Sequence, residues 1–464
     1  MKQLLAYCLS IILCVSFTGC MENYLDLYPE DKITSASFPE NESDIKLLLN
    51  GVYAQLREKE VYNQGLFGFG ITDGATPNAF NWGTDEVFNK LGAGRLSSSD
   101  GGVVTYRWKR CYEIISRANY LLACMDLVDL SEEAKAKYSG ETHFLRGLAY
   151  SVLAETYGGV PIILTNISTE EARSLKRASL EETWQQALDD YEVAITNLGV
   201  DAPEPGRATK GAALGMKMRA YLYQGKYKEV LACVEQIDAL KKYGLFHSYE
   251  GLFDPANENN KEVLFDIQYI EGENSQGSYI DQYCGTGTGS WTRGSRYVPT
   301  DDLVAAYETI DGSPVDPENP YENRDPRLGF TAVLPGSYFL GYRFPNYLYP
   351  GGAFNHAGNR LKHLSTRKYR IQDESKLPPS GQSYINDIIL RYADVLLSKA
   401  EAIIETNGNV ADAIAILNRI RTERDDVKIS LLPTSMSREE AREKVRHERR
   451  IELALEGRYW SDVK

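Results

Sequence analysis

Residues 108–161 constrain the fold more than any other part of the chain, because they predict two long amphipathic helices joined by a short break. One face of the first helix carries, at three- and four-residue spacing, Trp108, Cys111, Tyr112, Ile115, Ala118, Asn119 and Leu122. The second helix is predicted to begin after Ser131, a good N-cap, and to end at Gly158 and Gly159. Two such helices cannot bury their apolar faces alone, so other parts of the chain should supply similar pairs.

Helical periodicity occurs in four stretches, about 43–58, 105–160, 183–240 and 386–464. The third contains a predicted turn at Gly225–Tyr227, and small residues such as Ala212 and Ala213 suit close helix crossings. The sequence therefore predicts a mainly α fold, built from TPR-like helical-hairpin repeats with long loop-rich insertions and a few short strands.

The insertions span about 64–103 and 250–370, where Gly, Asn, Ser and Asp dominate and the helical period disappears. Within the second, residues 262–269 predict a strand. Long irregular stretches inside a compact protein are either functional or disordered. The aromatic residues interspersed in these polar loops favour a function, with anchoring of the loops to the body as the alternative.

Composition excludes some classes of protein. The 464 residues are 43% hydrophobic and 25% charged, as in an ordinary globular protein. The formal net charge of −14 argues against a nucleic-acid partner, which requires a basic surface.

The first 19 residues predict a signal peptide. Lys2 precedes an apolar run, Leu4–Val15, that is too short to span a bilayer. The run ends in Phe17-Thr18-Gly19-Cys20, which resembles a bacterial lipobox. That resemblance implies cleavage before Cys20 and lipid attachment to Cys20; the alternative is ordinary secretion with a removed leader.

No metal or cofactor site is predicted. The four remaining cysteines, Cys111, Cys124, Cys233 and Cys284, form no CxxC or Cys/His cluster and are interpreted as small buried apolar residues. The acidic stretch from Asp311 to Glu318 lacks the spacing of a calcium loop, which favours a solvated turn.

Catalysis is not predicted either, since the chain lacks a GxSxG elbow, an HExxH motif and a P-loop. A pair of carboxylates for glycoside hydrolysis stays open, because their separation is three-dimensional.

Several motifs resemble the SusD/RagB family. They are Trp108-x-x-Cys111-Tyr112 with Asn119, Gly140-Glu141-x-x-Phe144-Leu145-Arg146-Gly147, Tyr157-Gly158-Gly159-Val160-Pro161, Asn323-Arg324-Asp325-Pro326-Arg327-Leu328 and the stretch from Arg446 to Gly457. We expect the Arg and Asp side chains of residues 323–328 to pair and hold a corner. Members of the family usually continue beyond the equivalent of Lys464, which implies a truncated C-terminus.

The resemblance implies a single SusD-like body over residues 20–464, without enzymatic activity or cofactor. It implies a protein anchored by lipid to the outer membrane and exposed at the cell surface. That protein would capture oligosaccharides and deliver them to a SusC-like TonB-dependent transporter. The first alternative is a protein that captures peptides, as RagB-like members do. The second, less favoured, is a surface glycoside hydrolase.

Sugar binding is expected to use flat aromatic faces together with polar side chains that bond the hydroxyl groups. By position in the loops where family members place ligand aromatics, the predicted binding residues are Trp82, Asn81, Asp85, Trp291, Tyr297 and Tyr342.

Overall fold

The computed structural model describes residues 38–58, 69–81, 87–97, 99–271, 277–278, 280, 297–340, 342–344, 348, 364–369, 371, 373–378 and 382–464. The predicted signal peptide and Cys20 lie outside this part of the chain. Within it, no helix combines the length and the apolar character needed to cross a bilayer.

Helices make up most of the described structure and confirm the predicted mainly α fold. In chain order they are α1 Glu42–Tyr53, α2 Val87–Gly92, α3 Val103–Cys124, α4 Glu132–Tyr157, α5 Thr169–Ser174, α6 Leu180–Asn197, α7 Lys210–Leu222, α8 Tyr227–Ala239, α9 Asp301–Ala306, α10 Pro326–Thr331, α11 Tyr392–Glu405, α12 Val410–Thr422, α13 Arg438–Glu452 and α14 Tyr459–Asp462. Short 3-10 helices lie at Phe69–Ala75 and Gly251–Phe253, among other places.

The ends of α4 follow from local chemistry, as predicted. The Ser131 hydroxyl accepts a hydrogen bond from the Ala134 amide at 3.2 Å, which satisfies one of the free amides of the first turn. At the other end Gly158 has φ +78°, a conformation that glycine adopts without strain. Gly159 is required for a different reason, because a Cβ there would lie 2.0 Å from the Ala178 carbonyl oxygen.

The long helices pack side by side into one body. Helix α4 contacts α3, α6 and α1, α7 contacts α6 and α8, and α11 packs against α8, α12 and α13. Their inward faces form one large apolar core that includes Ile115, Phe144, Leu148, Tyr191 and Leu397. We call this part, made of α1, α3, α4, α6–α8 and α11–α13, the helical body. Cys111, Cys124 and Cys233 are buried in it as free thiols, whereas Cys284 lies outside the described residues.

The strands are short and pair antiparallel in twos: β1 Ala79–Asn81 with β3 Tyr297–Pro299, β2 Val263–Ile267 with β8 Asp387–Arg391, β4 Ala332–Val333 with β7 Ser365–Thr366, and β5 Tyr338–Phe339 with β6 Tyr342–Arg343. The predicted strand at 262–269 is confirmed as β2. The described residues of 69–97 and 246–385 surround a second, smaller core with Tyr249, Tyr297, Leu303, Tyr307 and Leu328. We call this part the loop-rich lobe.

A cluster of buried ion pairs lies where the loop-rich lobe meets the helical body. Asp325 and Arg327 pair at 2.7 Å, which confirms the predicted pairing in residues 323–328. The Arg327 guanidinium also reaches Glu448 and Glu452 on α13, at 2.7 and 2.9 Å. Arg324 instead donates to the backbone carbonyls of Pro320, Val304 and Tyr307.

The same cluster continues through Arg391 at the end of β8. Its side chain pairs with Glu262, Glu452 and Glu456, and Arg424 pairs with Glu262 and Glu452. These residues, with Asp325, Arg327, Lys368, Arg421 and Glu448, are called the buried ionic cluster below.

Candidate functional site

The β1–β3 ribbon contains two of the predicted binding residues. Asn81 on β1 lies opposite Tyr297 on β3 in the antiparallel register. The ribbon is extended by a hydrogen bond of 3.1 Å from the Thr300 amide to the Asn78 carbonyl oxygen, and the Thr300 hydroxyl donates to the Pro77 carbonyl oxygen. The structure therefore brings two segments more than 200 residues apart in sequence into one ribbon, which sequence periodicity did not predict.

Both predicted side chains of the ribbon face inward. Asn81 is 2% exposed and Tyr297 is fully buried. A Cβ on Gly74 would lie 3.4 Å from the Asn81 Cβ and 3.8 Å from the Tyr297 ring, so the 3-10 helix Phe69–Ala75 covers both side chains. On the opposite face of β1, the Phe80 ring is 37% exposed. Stacking of a sugar on the Tyr297 ring would require the lobe to rearrange, and the binding roles of both residues stay predictions.

Among the described residues, the β1–β3 ribbon holds none of the other four predicted binding residues. Trp82, Asp85 and Trp291 lie outside the described residues. Tyr342 lies in β6, where its backbone pairs with Phe339. Their roles in binding also stay predictions.

The charged side chains next to the ribbon are paired. Arg450 on α13 donates to the Asn78 side-chain oxygen at 2.7 Å and to the Asp302 carboxylate at 2.6 Å. This bridge fixes the ribbon to the last long helix.

A second feature of the loop-rich lobe is an open cleft of about 480 Å³. It is formed between the β5–β6 hairpin, the segment 248–254 and the residues that follow β7. Its aromatic and charged lining includes Phe253, Phe330, Tyr338, Phe339, Glu250 and Arg367. We call it the Tyr338 cleft.

The hairpin produces the exposed aromatic side of the cleft. Because successive side chains of a strand point to opposite faces, Phe339 is buried at 2% exposure whereas Tyr338 is 67% exposed. Phe339 packs with Val333, Leu340 and Phe344 in a small apolar cluster, and the Phe344 amide donates to the Ser337 carbonyl oxygen at 2.9 Å. The hairpin thus presents the Tyr338 ring on a fixed support.

The opposite wall is held by one carboxylate from the loop after α12. Asp426 accepts hydrogen bonds from the Ser248 hydroxyl at 2.6 Å and from the Tyr249 and Glu250 amides at 2.8 and 3.0 Å. The Ser248 hydroxyl oxygen in turn accepts from the Gly251 amide at 2.8 Å. Four hydrogen bonds therefore fix the backbone of residues 248–251, which includes Glu250.

Both cations among the described lining residues are paired with protein carboxylates, although the Arg367 Nε has no hydrogen-bond partner among the described residues. Arg367 forms an ion pair with Glu250, and its guanidinium lies 5.5 Å from the centre of the Phe339 ring. The Lys368 ammonium donates to Tyr249 Oη, the Ala454 carbonyl oxygen and Glu456 Oε1, at 2.7–2.9 Å. Burial lowers the pKa of Lys368 to about 8, although Glu456 opposes this shift.

From the insertion 250–370, Tyr342 was predicted as a binding residue and Tyr338 was not. A usable signal was present, because Tyr338-Phe339 and Tyr342-Arg343 flank Leu340-Gly341, a spacing typical of a two-residue hairpin. Alternation along that hairpin would have separated an inward from an outward aromatic residue.

A larger cavity, of about 940 Å³, lies in the helical body between α4, α6, α13 and α14. Its lining includes Glu155, Trp184, Glu401, Arg449 and Asp462. Burial raises the pKa of Glu155, Glu401 and Asp462. Arg449 pairs with Asp462 at 2.9 Å and with Asp394 at 2.6 Å. These ion pairs connect α13 with α14 and α11.

Among the described residues, no group of three or more His, Cys, Asp or Glu side chains is placed to bind a metal ion. In the acidic stretch, Asp311 accepts from Ser313 and Asn323, and Asp316 accepts from Asn319 and the Glu318 amide. These carboxylates stabilise local turns.

Comparisons with known proteins agree with the fold. A family model described as the SusD family matches residues 261–464, and one described as starch-binding associating with outer membrane matches residues 23–222. A SusD-like protein of Formosa agariphila is 25% identical over 98% of this chain and 88% of its own length.

Solved structures give the same result. A SusD-like carbohydrate-binding protein from Bacteroides fragilis is 27% identical, with a TM-score of 0.79 over 91% of this chain and 85% of that one. A second SusD-like protein from the same organism is 26% identical, with a TM-score of 0.80 over 94% of this chain and 88% of that one. Two family models that together span most of the sequence, and these neighbours, show that the chain belongs to the SusD/RagB family.

Proposed function

We propose that this protein is a non-enzymatic glycan-binding protein of the outer membrane. It captures oligosaccharides at the cell surface and delivers them to a SusC-like TonB-dependent transporter. The family description supports association with the outer membrane, and the solved neighbour at 27% identity carries a carbohydrate-binding description.

The observation that carries the proposal is the position of exposed aromatic side chains in the loop-rich lobe. Phe80 and Tyr338 expose their rings on two separate short ribbons, each backed by a packed core. A pyranose ring presents C–H groups to such a face, while nearby polar side chains bond its hydroxyls. Several shallow contacts along one polymer add up through effective concentration, which suits a protein that must also release its ligand.

The anchoring part of the proposal is lipid attachment at Cys20, which leaves the body outside the membrane. Delivery then requires a complex with the transporter. Co-purification of the protein with a TonB-dependent transporter from outer membranes, and its removal from intact cells by added protease, test these two steps. An intracellular location would contradict both.

The ligand is tested with the protein lacking residues 1–20, on an array of polysaccharides and oligopeptides, with Trp82→Ala and Trp291→Ala beside it. We expect binding to one class of glycan and weaker binding by each variant, because each loses one stacking ring. Binding that both variants retain would contradict the two predicted positions but not glycan capture. Binding of peptides alone would favour a RagB-like role, and release of shorter products would contradict a non-enzymatic protein.

A further inference from the structure

The described lining residues of the Tyr338 cleft do not include any residue of the β1–β3 ribbon, where two of the predicted binding positions lie. We infer that the Tyr338 cleft is a second binding site, which takes a short uncharged stretch of glycan and rejects uronic-acid and sulfated glycans. This inference rests on the proposed function, since it assigns a ligand class to one surface of a glycan-binding protein.

Shape supports a sugar ligand. At about 480 Å³ the cleft falls within the range of small-molecule sites, and it is open to solvent along one side, as a polymer requires. Phe253 and Phe330 line the cleft as apolar surface, and Tyr338 offers an exposed ring at its edge. The flat apolar face of a tyrosine ring matches the patch of C–H groups on one face of a pyranose.

The cleft is also preorganised. Asp426 fixes the 248–251 segment through three hydrogen bonds, and the buried Phe339 fixes the hairpin that carries Tyr338. A site whose walls are already ordered loses less conformational entropy when a ligand binds.

Charge determines which glycans fit. An acidic sugar needs a cation that is free to bond its carboxylate or sulfate group. Among the described lining residues, Arg367 is paired with Glu250, and all three protons of Lys368 are donated to protein acceptors. Among the described residues, the Asp254 carboxylate accepts a hydrogen bond from a neutral donor, the Ala256 amide, and no cation pairs with it. Sugar hydroxyls can donate to Glu250 and Asp254, whereas a glycan anion would meet their repulsion.

The test is calorimetric titration of the protein lacking residues 1–20 with laminarin, maltoheptaose, xylohexaose, oligogalacturonate and carrageenan oligosaccharides. The variants are Tyr338→Ala, Tyr338→Phe and, as a matched control, Tyr120→Ala, which removes a 39% exposed tyrosine from α3. We expect a neutral glycan to bind, with affinity about tenfold lower in Tyr338→Ala. Tyr338→Phe and Tyr120→Ala should stay within about twofold of the parent.

A second variant tests the charge argument. Glu250→Gln removes the partner of Arg367 and frees its guanidinium, so binding of oligogalacturonate should improve by about threefold or more. Unchanged oligogalacturonate binding in Glu250→Gln would overturn the charge argument.

The outcomes separate this inference from the proposed function. Glycan binding that Tyr338→Ala leaves unchanged overturns the cleft and keeps glycan capture. A parent protein whose strongest ligand is charged, and is lost in Tyr338→Ala, keeps the cleft and overturns the ligand class. Failure of every glycan to bind contradicts the proposed function itself. Circular dichroism melting of each variant confirms that the exposed substitution leaves the fold intact.

Discussion

The helical body and the loop-rich lobe are stabilised in different ways. In the body, the buried faces of α3, α4 and α6 are mostly apolar, and the large core is continuous across the repeats. A buried polar group interrupts them, in which Arg146 pairs with Asp190 at 2.7 Å and donates to Asn119 at 2.8 Å. The lobe has a smaller apolar core, with small two-stranded ribbons in place of long helices. Its attachment to the body includes the buried ionic cluster, in which Arg327, Arg391 and Arg424 all pair with Glu452 at the end of α13. Arg391 and Arg424 also pair with Glu262, the residue before β2.

This difference determines which substitutions each region tolerates. Apolar faces accept substitutions of similar volume, because their attraction has no direction. A buried ion pair tolerates no loss of one partner, because the remaining charge has no water to solvate it. We therefore expect the stability of the body to be most sensitive to changes of side-chain volume, and the attachment of the lobe to be most sensitive to the loss of a charge.

The largest expected effect is that of Glu452→Gln. Glu452 pairs with Arg391 at 2.7 Å, Arg424 at 2.8 Å and Arg327 at 2.9 Å, and is fully buried. Burial alone would raise its pKa, but the three guanidinium groups hold that pKa well below the usual range. Removing the charge leaves the three arginines undercompensated, so the free energy of unfolding should fall by about 3–5 kcal/mol in denaturant titrations.

The control is Glu443→Gln, which breaks an exposed pair with Arg446 and should change stability little. Amide hydrogen exchange of Glu452→Gln then compares the loss of protection in the lobe with that in the body. Protection should fall more in residues 249–253 and 325–331 of the lobe than in residues 144–153 of α4. Equal loss in both regions would show that the ionic cluster stabilises the whole protein and not the lobe attachment.

The next effect is that of Gly159→Ala in the body. A Cβ there would lie 2.0 Å from the Ala178 carbonyl oxygen and 2.9 Å from the Leu180 amide nitrogen, both backbone atoms that cannot rotate away. The chain entering α6 must move, so we expect a loss of about 3 kcal/mol by thermal or denaturant unfolding.

Its matched control is the neighbouring glycine. Gly158→Ala meets no atom within 4 Å and is strained only by its backbone, whose φ of +78° and ψ of −140° cost a residue other than glycine about 2 kcal/mol. If both variants lost the same stability, backbone strain rather than close approach would explain the two glycines at this corner.

The contrast between the regions also explains what the sequence could predict. Helix ends are local: Ser131, Gly158 and the turn at Gly225 lie within a few residues of the groups they satisfy, and all three were predicted. The Asp325–Arg327 pair is local too. Its partners on α13 are not, since Glu448 and Glu452 lie more than 120 residues away and no periodic pattern connects them.

The orientation of the aromatic side chains in the loops could not be predicted for a related reason. An aromatic residue in a polar loop does not indicate which way its ring faces. Tyr297 is buried because β1 and the segment around Gly74 lie against it, a contact between distant parts of the chain. Tyr338 is exposed because the hairpin uses the opposite face for Phe339. Only alternation along a recognised hairpin reveals such an orientation from sequence.

The smallest effect depends on pH and tests a second attachment of the lobe. Asp73, in the 3-10 helix Phe69–Ala75, is fully buried and accepts from the Gly457 amide at 3.3 Å and the Tyr459 amide at 3.2 Å. Burial raises its pKa to about 7; Asp462 adds to the shift, whereas the two amides and Arg458 oppose it. A folded-state pKa above the unfolded value of about 3.9 means that the folded protein binds the proton more tightly.

The stability contributed by Asp73 is therefore fully present below about pH 4 and is lost as the pH rises through 7. Asp73→Asn cannot ionise and escapes this loss, so its stability relative to the parent should rise by about 1.4 kcal/mol per pH unit between pH 5 and 6.5. Denaturant unfolding at half-unit intervals measures the difference, with the exposed Asp126→Asn as a control that should not change the slope. A constant difference between Asp73→Asn and the parent would mean that Asp73 is charged in the folded protein throughout this range. Residues 69–75 would then be attached to α14 through a charged Asp73 carboxylate, as in the buried ionic cluster. The inference that a protonated Asp73 carboxyl accepts hydrogen bonds from the Gly457 and Tyr459 amides would be wrong.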